Sequence, residues 1–360
     1  MTRPSWTTVA PLLAIVALVP AWFAHPESAL VLSVLAVLLV GAVLAAVHHA
    51  EVVAHRVGEP YGSLVLAVAV TIIEVGLIVT LMITVNGIVG ISLLVGALKH
   101  HLAVFNPEGT GAALGTVIAL AVLCLVVPSV TTSQPGPEFT GAQLAFAAIA
   151  SLALYGMFVF TQTIRHRDFF LPVTHGQHSP VVVTTAGGGD SFEHEPVDLD
   201  EDGHADPPTD RAAYASLGLL VVSLVAVVGL AKIESPAIES GVAALGFPPA
   251  VVGVVIALLV LAPETIAAVR AASRNRVQVS LNLALGSAMA SIGLTIPAIA
   301  VASIWLDGPL ELGLNQLQTV LLLLTAAVAI LTVVPGRAKP LQGGVHLVLL
   351  AAFLFLTIAP

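Results

Sequence analysis

The chain has 360 residues, 58% of them hydrophobic and only 9% charged, whereas a soluble domain carries about 25% charged residues, so a soluble globular protein is excluded. The formal charge of −9 comes largely from one polar segment; it says little about partners and offers no basic surface for nucleic acid. Cys124 is the single cysteine, which leaves no intrachain disulfide and no thiolate metal cage.

Apolar runs predict an all-α polytopic membrane protein with about eleven transmembrane helices. They lie at roughly 8–24, 29–49, 61–83, 85–98, 111–128, 141–164, 212–231, 247–270, 278–304, 315–334 and 343–359. Alternating strands of about ten residues, the mark of a membrane barrel, are missing. The first run follows Arg3 and reads as a span rather than a signal peptide, because no small-residue cleavage site stands out and further spans follow. His48, His49, His55, His100 and His101 are expected in short, solvated cytoplasmic loops.

The one long polar segment, His166 to Arg211, holds Gly187-Gly188-Gly189, several prolines and an acidic string from Glu193 to Asp210. Such a composition cannot bury a core and is expected to be disordered. Its His175, His178, His194 and His204 could hold divalent cations weakly, but a solvated linker is the simpler reading.

Orientation follows from Lys and Arg. With the N-terminus in the cytoplasm, Arg56, Lys99, Arg165, Arg167, Arg211, Arg270, Arg274, Arg276, Arg337 and Lys339 all fall inside, and Lys232 alone falls outside. The C-terminus is then external, and the stretch from Tyr61 to Leu98 must be crossed an even number of times. The chain also reads as duplicated: an N-terminal helix (1–27), a first five-helix repeat (28–165), the acidic cytoplasmic loop (166–211) and a second five-helix repeat (212–360). An odd number of spans inverts the second copy, a common transporter plan. Pro60 precedes Glu74 by fourteen residues and Pro249 precedes Glu264 by fifteen. At 1.5 Å per residue each glutamate lies about 21–23 Å along its helix, so carboxylates entering from opposite faces can meet near mid-depth.

Those carboxylates carry the chemistry. Glu74 sits in Val70-Thr71-Ile72-Ile73-Glu74-Val75-Gly76 and Glu264 in Leu261-Ala262-Pro263-Glu264-Thr265. An ionisable group at that depth is costly and functional by default. Pro263 cannot donate to the Leu259 carbonyl, and broken backbone in a membrane is tolerated where it lines a cavity or an ion site. A pair of buried carboxylates can hold a hard cation or protons in competition, which is exchange chemistry. The plain alternative is a protonated glutamate that glues helices. On the next apolar run Asn282, Gly286, Ala290 and Gly293 share one face. Close packing of small residues explains that face, and the Asn282 carbonyl is a candidate ligand or ligand support. Ser287 and Ser291 lie about 100° round from it and rank lower. Asn86 occupies the matching place after Glu74. Glu59 marks a possible cytoplasmic entrance, although a helix-start carboxylate explains it as well.

These stretches resemble the calcium/cation antiporter superfamily, most closely its calcium–proton exchanger branch in the bacterial ChaA-type group. Gly58-Glu59-Pro60-Tyr61-Gly62 leading to Thr71-Ile72-Ile73-Glu74, then Ala262-Pro263-Glu264-Thr265, then Ala284-Leu285-Gly286-Ser287-Ala288 with Ser291-Ile292-Gly293 carry the likeness. The resemblance implies export of Ca²⁺, Na⁺ or K⁺ for protons across the bacterial inner membrane. It makes Glu74 and Glu264 the ion-binding carboxylates, with Thr71, Asn86, Pro263, Thr265, Asn282, Gly286 and Ser287 in support and no cofactor. Thr71 and Leu261 stand where the branch often has asparagine, which leaves room for monovalent ions. An intramembrane enzyme is disfavoured because no His-Glu-x-x-His lies in a span. A channel is disfavoured because a pore needs weak, multi-site binding.

One stretch breaks the pattern. Eighteen residues separate Glu264 from Asn282, but only twelve separate Glu74 from Asn86. Leaving mid-depth and returning takes about ten helical residues each way, so a segment near Met82 is missing relative to the second repeat. The third and fourth spans are expected to join through a compressed turn or to form one distorted helix, with Asn86 away from the place Asn282 takes.

Overall fold

The computed structural model describes residues 5–24, 26, 28–57, 76–171, 209–248, 250–305 and 310–359. These form a helical membrane protein. Its helices are α1 (Trp6–Ala24), α2 (Ala29–Val57), α3 (Leu77–His100), α4 (Pro107–Val130), α5 (Gly141–Arg165), α6 (Asp210–Ala244), α7 (Ala250–Ser273), α8 (Val277–Ala302), α9 (Gln316–Val333) and α10 (Pro340–Ile358). Nine of them, among the described residues, are long and apolar enough to cross a membrane, and α7 makes ten when its two bent parts count as one span. The helix starts are written in the sequence. Asn106 Oδ1 accepts from the amides of Glu108 (2.9 Å) and Gly109 (3.3 Å) ahead of Pro107. Thr140 with Gln143, and Asn315 with Gln318, form reciprocal capping boxes.

Among the described residues, two large buried clusters hold most of the bundle. The larger joins α3, α4, α5, α8 and α9 with one face of α7. The smaller joins α1, α2 and α6 with Val260 of α7. Close approaches replace large side chains where helices cross. A Cβ on Gly293 of α8 would lie 2.8 Å from Tyr155 Cβ of α5. Between α3 and α8 the hydroxyls of Ser92 and Ser280, both fully buried, are 2.6 Å apart.

The loops gather at two ends. At one end β1 (Ala103–Val104) pairs antiparallel with β2 (Arg337–Ala338), the His100 ring bonds the Ser273 carbonyl at 3.1 Å, and left-handed Asn275 closes the tight turn between α7 and α8. Lys99, Arg270, Arg274, Arg276, Arg337 and Lys339 all lie here. At the other end Glu138 bridges to Glu311 and Gly313 N donates to the Pro137 carbonyl at 3.0 Å.

Several expectations change. The boundary between spans at 61–83 and 85–98 does not exist: Leu77–His100 is one helix, with a π-helical stretch over Ile83–Ile88. The helix begins after Gly76, residues 58–75 lie outside the described residues, and Met82, fully buried, packs on Leu321 and Phe353. His48, His49 and His55 belong to α2 and His100 closes α3 rather than lying in loops, and His49 is buried against the Thr7 carbonyl at 3.0 Å. The seventh span does not stop near 231 but runs to Ala244. Residues 172–208 of the acidic segment lie outside the described residues. Its first residues form a 3-10 turn at Arg167–Phe170, and its last, Asp210 and Arg211, begin α6.

Candidate functional site

The site starts from the Pro-Glu pair. α7 bends by 50° between Val251–Ala262 and Glu264–Ser273, so the break falls at Pro263. Proline has no N–H to give and its ring crowds the preceding turn, which is the usual cause of so sharp a kink. Glu264, only 4% exposed, opens the second part of the helix. Its Oε2 accepts from Ser287 Oγ of α8 at 3.0 Å. Thr265 spends its hydroxyl on the Leu261 carbonyl, at 2.7 Å, beside the break. A carboxylate and a hydroxyl from adjoining helices thus converge in the interior, an oxygen-only set of the kind hard cations select. Among the described residues no three His, Cys, Asp or Glu side chains come together.

The other candidates on α8 divide. No described atom lies within 4 Å of where a Cβ on Gly286 would stand, so the described helices do not press on it. Asn282 is turned to the basic end. Its Oδ1 accepts from Gln278 Nε2 (2.8 Å) and its Nδ2 donates to the Phe170 carbonyl (2.6 Å) at the root of the acidic segment. Gln278 Oε1 in turn accepts from the Asn106 amide at 2.6 Å, and its Nε2 reaches Thr110 Oγ1 at 3.3 Å. Five residues from Ser287, Asn282 is displaced about 7.5 Å along the helix.

Asn86 joins a different group. Its Nδ2 donates to Thr325 Oγ1 of α9 (2.9 Å) and to Met82 Sδ (3.7 Å), and its Oδ1 faces His346 Nδ1 of α10 at 3.1 Å. Asn86 and Asn282 therefore have no partner in common. Sequence reasoning missed His346, Thr325 and Thr332; a histidine and two threonines inside charge-free runs were the available signal. Glu59, Thr71, Glu74 and the Pro263 side chain lie outside the described residues.

A family model described as sodium/calcium exchanger protein matches residues 215–359, which span α6 to α10. Over nearly the whole length the chain is similar to the protein y4hA of Sinorhizobium fredii, with 40% identity over 384 residues, 99% of this chain and 97% of that protein. That match is longer than the 360 residues here, so y4hA carries residues this chain lacks. The sodium-potassium/proton antiporter ChaA of Escherichia coli is 31% identical over 366 residues, 96% of this chain and 93% of that protein. Among solved structures the fold is similar to that of native YfkE, with a TM-score of 0.67 at 16% identity, covering 98% of this chain and 100% of that one. Full-length likeness above the level where families diverge, on a fold shared with YfkE, places this chain in the calcium/cation antiporter superfamily, in its ChaA-type calcium–proton exchanger branch.

Proposed function

We propose that this chain is a secondary antiporter that exports Ca²⁺, and Na⁺ or K⁺, from the bacterial cytoplasm in exchange for protons. Glu74 and Glu264 are its paired carboxylates. The observation that carries the reading is Glu264, buried at the bend of α7 with the Ser287 hydroxyl on it. A carboxylate in such a place exchanges a proton for a cation because it cannot hold both, and the competition couples the two fluxes. Likeness to a sodium-potassium/proton antiporter supports the same reading. In everted vesicles, Ca²⁺, Na⁺ and K⁺ added in turn should each be tried for dissipation of ΔpH. A protein that conducts cations with no effect on ΔpH is a channel and not this.

The architecture we propose is the N-terminal helix 1–27, inverted repeats 28–165 and 212–360, and the acidic loop 166–211, with the basic end in the cytoplasm. α10 starts at Pro340, beside β2 at the basic end. A reporter fused after Pro360 should therefore read as external, and a cytoplasmic reading would reverse the orientation. Deleting Gly176 to Asp206 should leave transport standing and change at most its regulation. Phe170, whose carbonyl anchors Asn282, stays in place in that variant. Loss of transport by a correctly inserted deletion would give the loop an essential role.

A further inference from the structure

Thr84 stands in the π-helical stretch of α3, fully buried, and its Oγ1 has no hydrogen-bond partner among the described residues. A threonine in a helix often bonds back to the carbonyl four residues before it. Thr116, Thr161, Thr163, Thr265, Thr332 and Thr357 of this chain do so, at 2.6–2.9 Å. Thr84 does not. A buried hydroxyl left unpaired is rare in a folded protein, and a bound ion is one of its few explanations.

The neighbours of α3 fix where that hydroxyl lies. Gly87 and Gly90 meet α10, at Leu350 and His346. Val85 and Val89 line a small cavity with Leu114 of α4 and Leu285 of α8. On the remaining side Gly96 approaches Val277 of α8 and the Ala272 carbonyl of α7, and Ser92 meets Ser280 of α8. Thr84 falls on this side. Positions 84, 88, 92 and 96 recur at four-residue spacing, and the wider winding of the π-helical stretch keeps Thr84 in line with the rest. That stretch, Ile83–Ile88, packs against both α7 and α8. Depth agrees. The two contacts with α8 make α3 and α8 antiparallel. From Ser280 to Ser287 α8 climbs about 10.5 Å, and from Ser92 back to Thr84 α3 climbs about 12 Å at α-helical rise, less through a π-helical turn. Thr84 therefore stands level with Ser287, whose hydroxyl is on Glu264.

We propose that Thr84 Oγ1 is a ligand of the transported cation, meeting it at the junction of α3, α7 and α8 beside the Glu264–Ser287 pair. This rests on the antiport reading above and adds an oxygen to that site. Ca²⁺ takes about 6–8 oxygens, more than one carboxylate and one hydroxyl supply. A further hydroxyl strengthens the hold on a cation without bringing a charge, so it favours the cation over the proton on Glu264. The purified protein is melted in detergent while Ca²⁺, Na⁺ or K⁺ is titrated, with ionic strength held constant by choline chloride. A cation that binds the folded chain raises its melting temperature. Thr84→Val keeps the shape of the side chain and removes the oxygen. Without cation it should melt at or above the parent, because the lost hydroxyl has no partner among the described residues. The cation concentration for half-maximal stabilisation should rise about tenfold, the loss of one oxygen contact to a charge. Thr84→Ser keeps the oxygen and should bind as the parent does. A valine variant with the parent's half-maximal concentration overturns the proposal. So does one that melts far below the parent or fails to fold, since its hydroxyl then serves the protein. A serine variant that binds no better than the valine variant overturns it as well. Glu264→Gln is titrated alongside. A parent with no cation-dependent shift, or a Glu264→Gln variant that binds as the parent does, sinks the carboxylate reading itself, and the Thr84 site with it.

Discussion

Glu264→Gln should reduce cation/proton exchange to background while the protein still inserts and folds. The amide has the shape of the carboxyl, and its oxygen can still accept from Ser287 Oγ, the contact that joins α7 to α8 at 3.0 Å. What the amide lacks is a proton to exchange and a charge to offset a cation. Elution as a sharp peak in detergent, with a melting temperature near that of the parent, would establish that the fold survives. Vesicle ΔpH assays then report the chemistry. Glu74→Gln should behave alike, on the proposed repeat. Normal exchange by both variants would reject the mechanism, and normal exchange by one would show that the two carboxylates are not equivalent.

Gly343→Val should have the largest effect on stability. Where α10 crosses α3, a Cβ on Gly343 would lie 2.6 Å from Leu94 N and 2.7 Å from the Gly90 carbonyl oxygen. Both neighbours are backbone, so neither can rotate away, and α10 has to lift off. Overpacking alone costs about 1–3 kcal/mol. Separation of α3 from α10 also breaks the Asn86–His346 bond, and each buried polar group left without a partner costs about 1–3 kcal/mol more. The sum approaches the stability of an ordinary domain, about 5–15 kcal/mol. The variant should aggregate on extraction or melt far below the parent. Gly344→Val is the control: no described atom lies within 4 Å of a Cβ there, and it should behave as wild type. Equal melting of the two variants would show that the crossing is looser than described.

The Pro263-Glu264 pair was legible because each residue is costly inside a membrane for its own reason, and both costs fall at one point of α7. The basic end was legible because positive residues cluster on one side of a bundle whatever the packing. The choice of partner for Glu264 was harder to read. Periodicity puts Asn282 and Ser287 on different faces of α8, but it does not say which face meets α7. The structure turns Ser287 to the carboxylate and Asn282 to Phe170. The shortness of the Glu74–Asn86 interval was readable by arithmetic; the structure runs Leu77–His100 as one helix with a π-helical stretch around Asn86, and Glu74 lies outside the described residues. His346 was not legible. Its partners stand 260 residues before it and 14 before it, and the distant one is brought near by the α3–α10 crossing.

That distance has a meaning for biosynthesis. A ribosome delivers α3 to the membrane long before α9 and α10 exist, and Asn86 enters with only Met82 Sδ of its own helix to bond. Its partners Thr325 and His346 lie 239 and 260 residues downstream. The β1–β2 clasp has to wait as well, because Ala103 pairs with Ala338. An unpaired amide in hydrocarbon costs several kcal/mol, so a nascent chain halted before α9 holds α3 in a state that favours lingering at the translocon or in the grip of a chaperone. α3 is inserted early and finished last, and truncated products of this chain should be cleared by membrane proteases rather than accumulate.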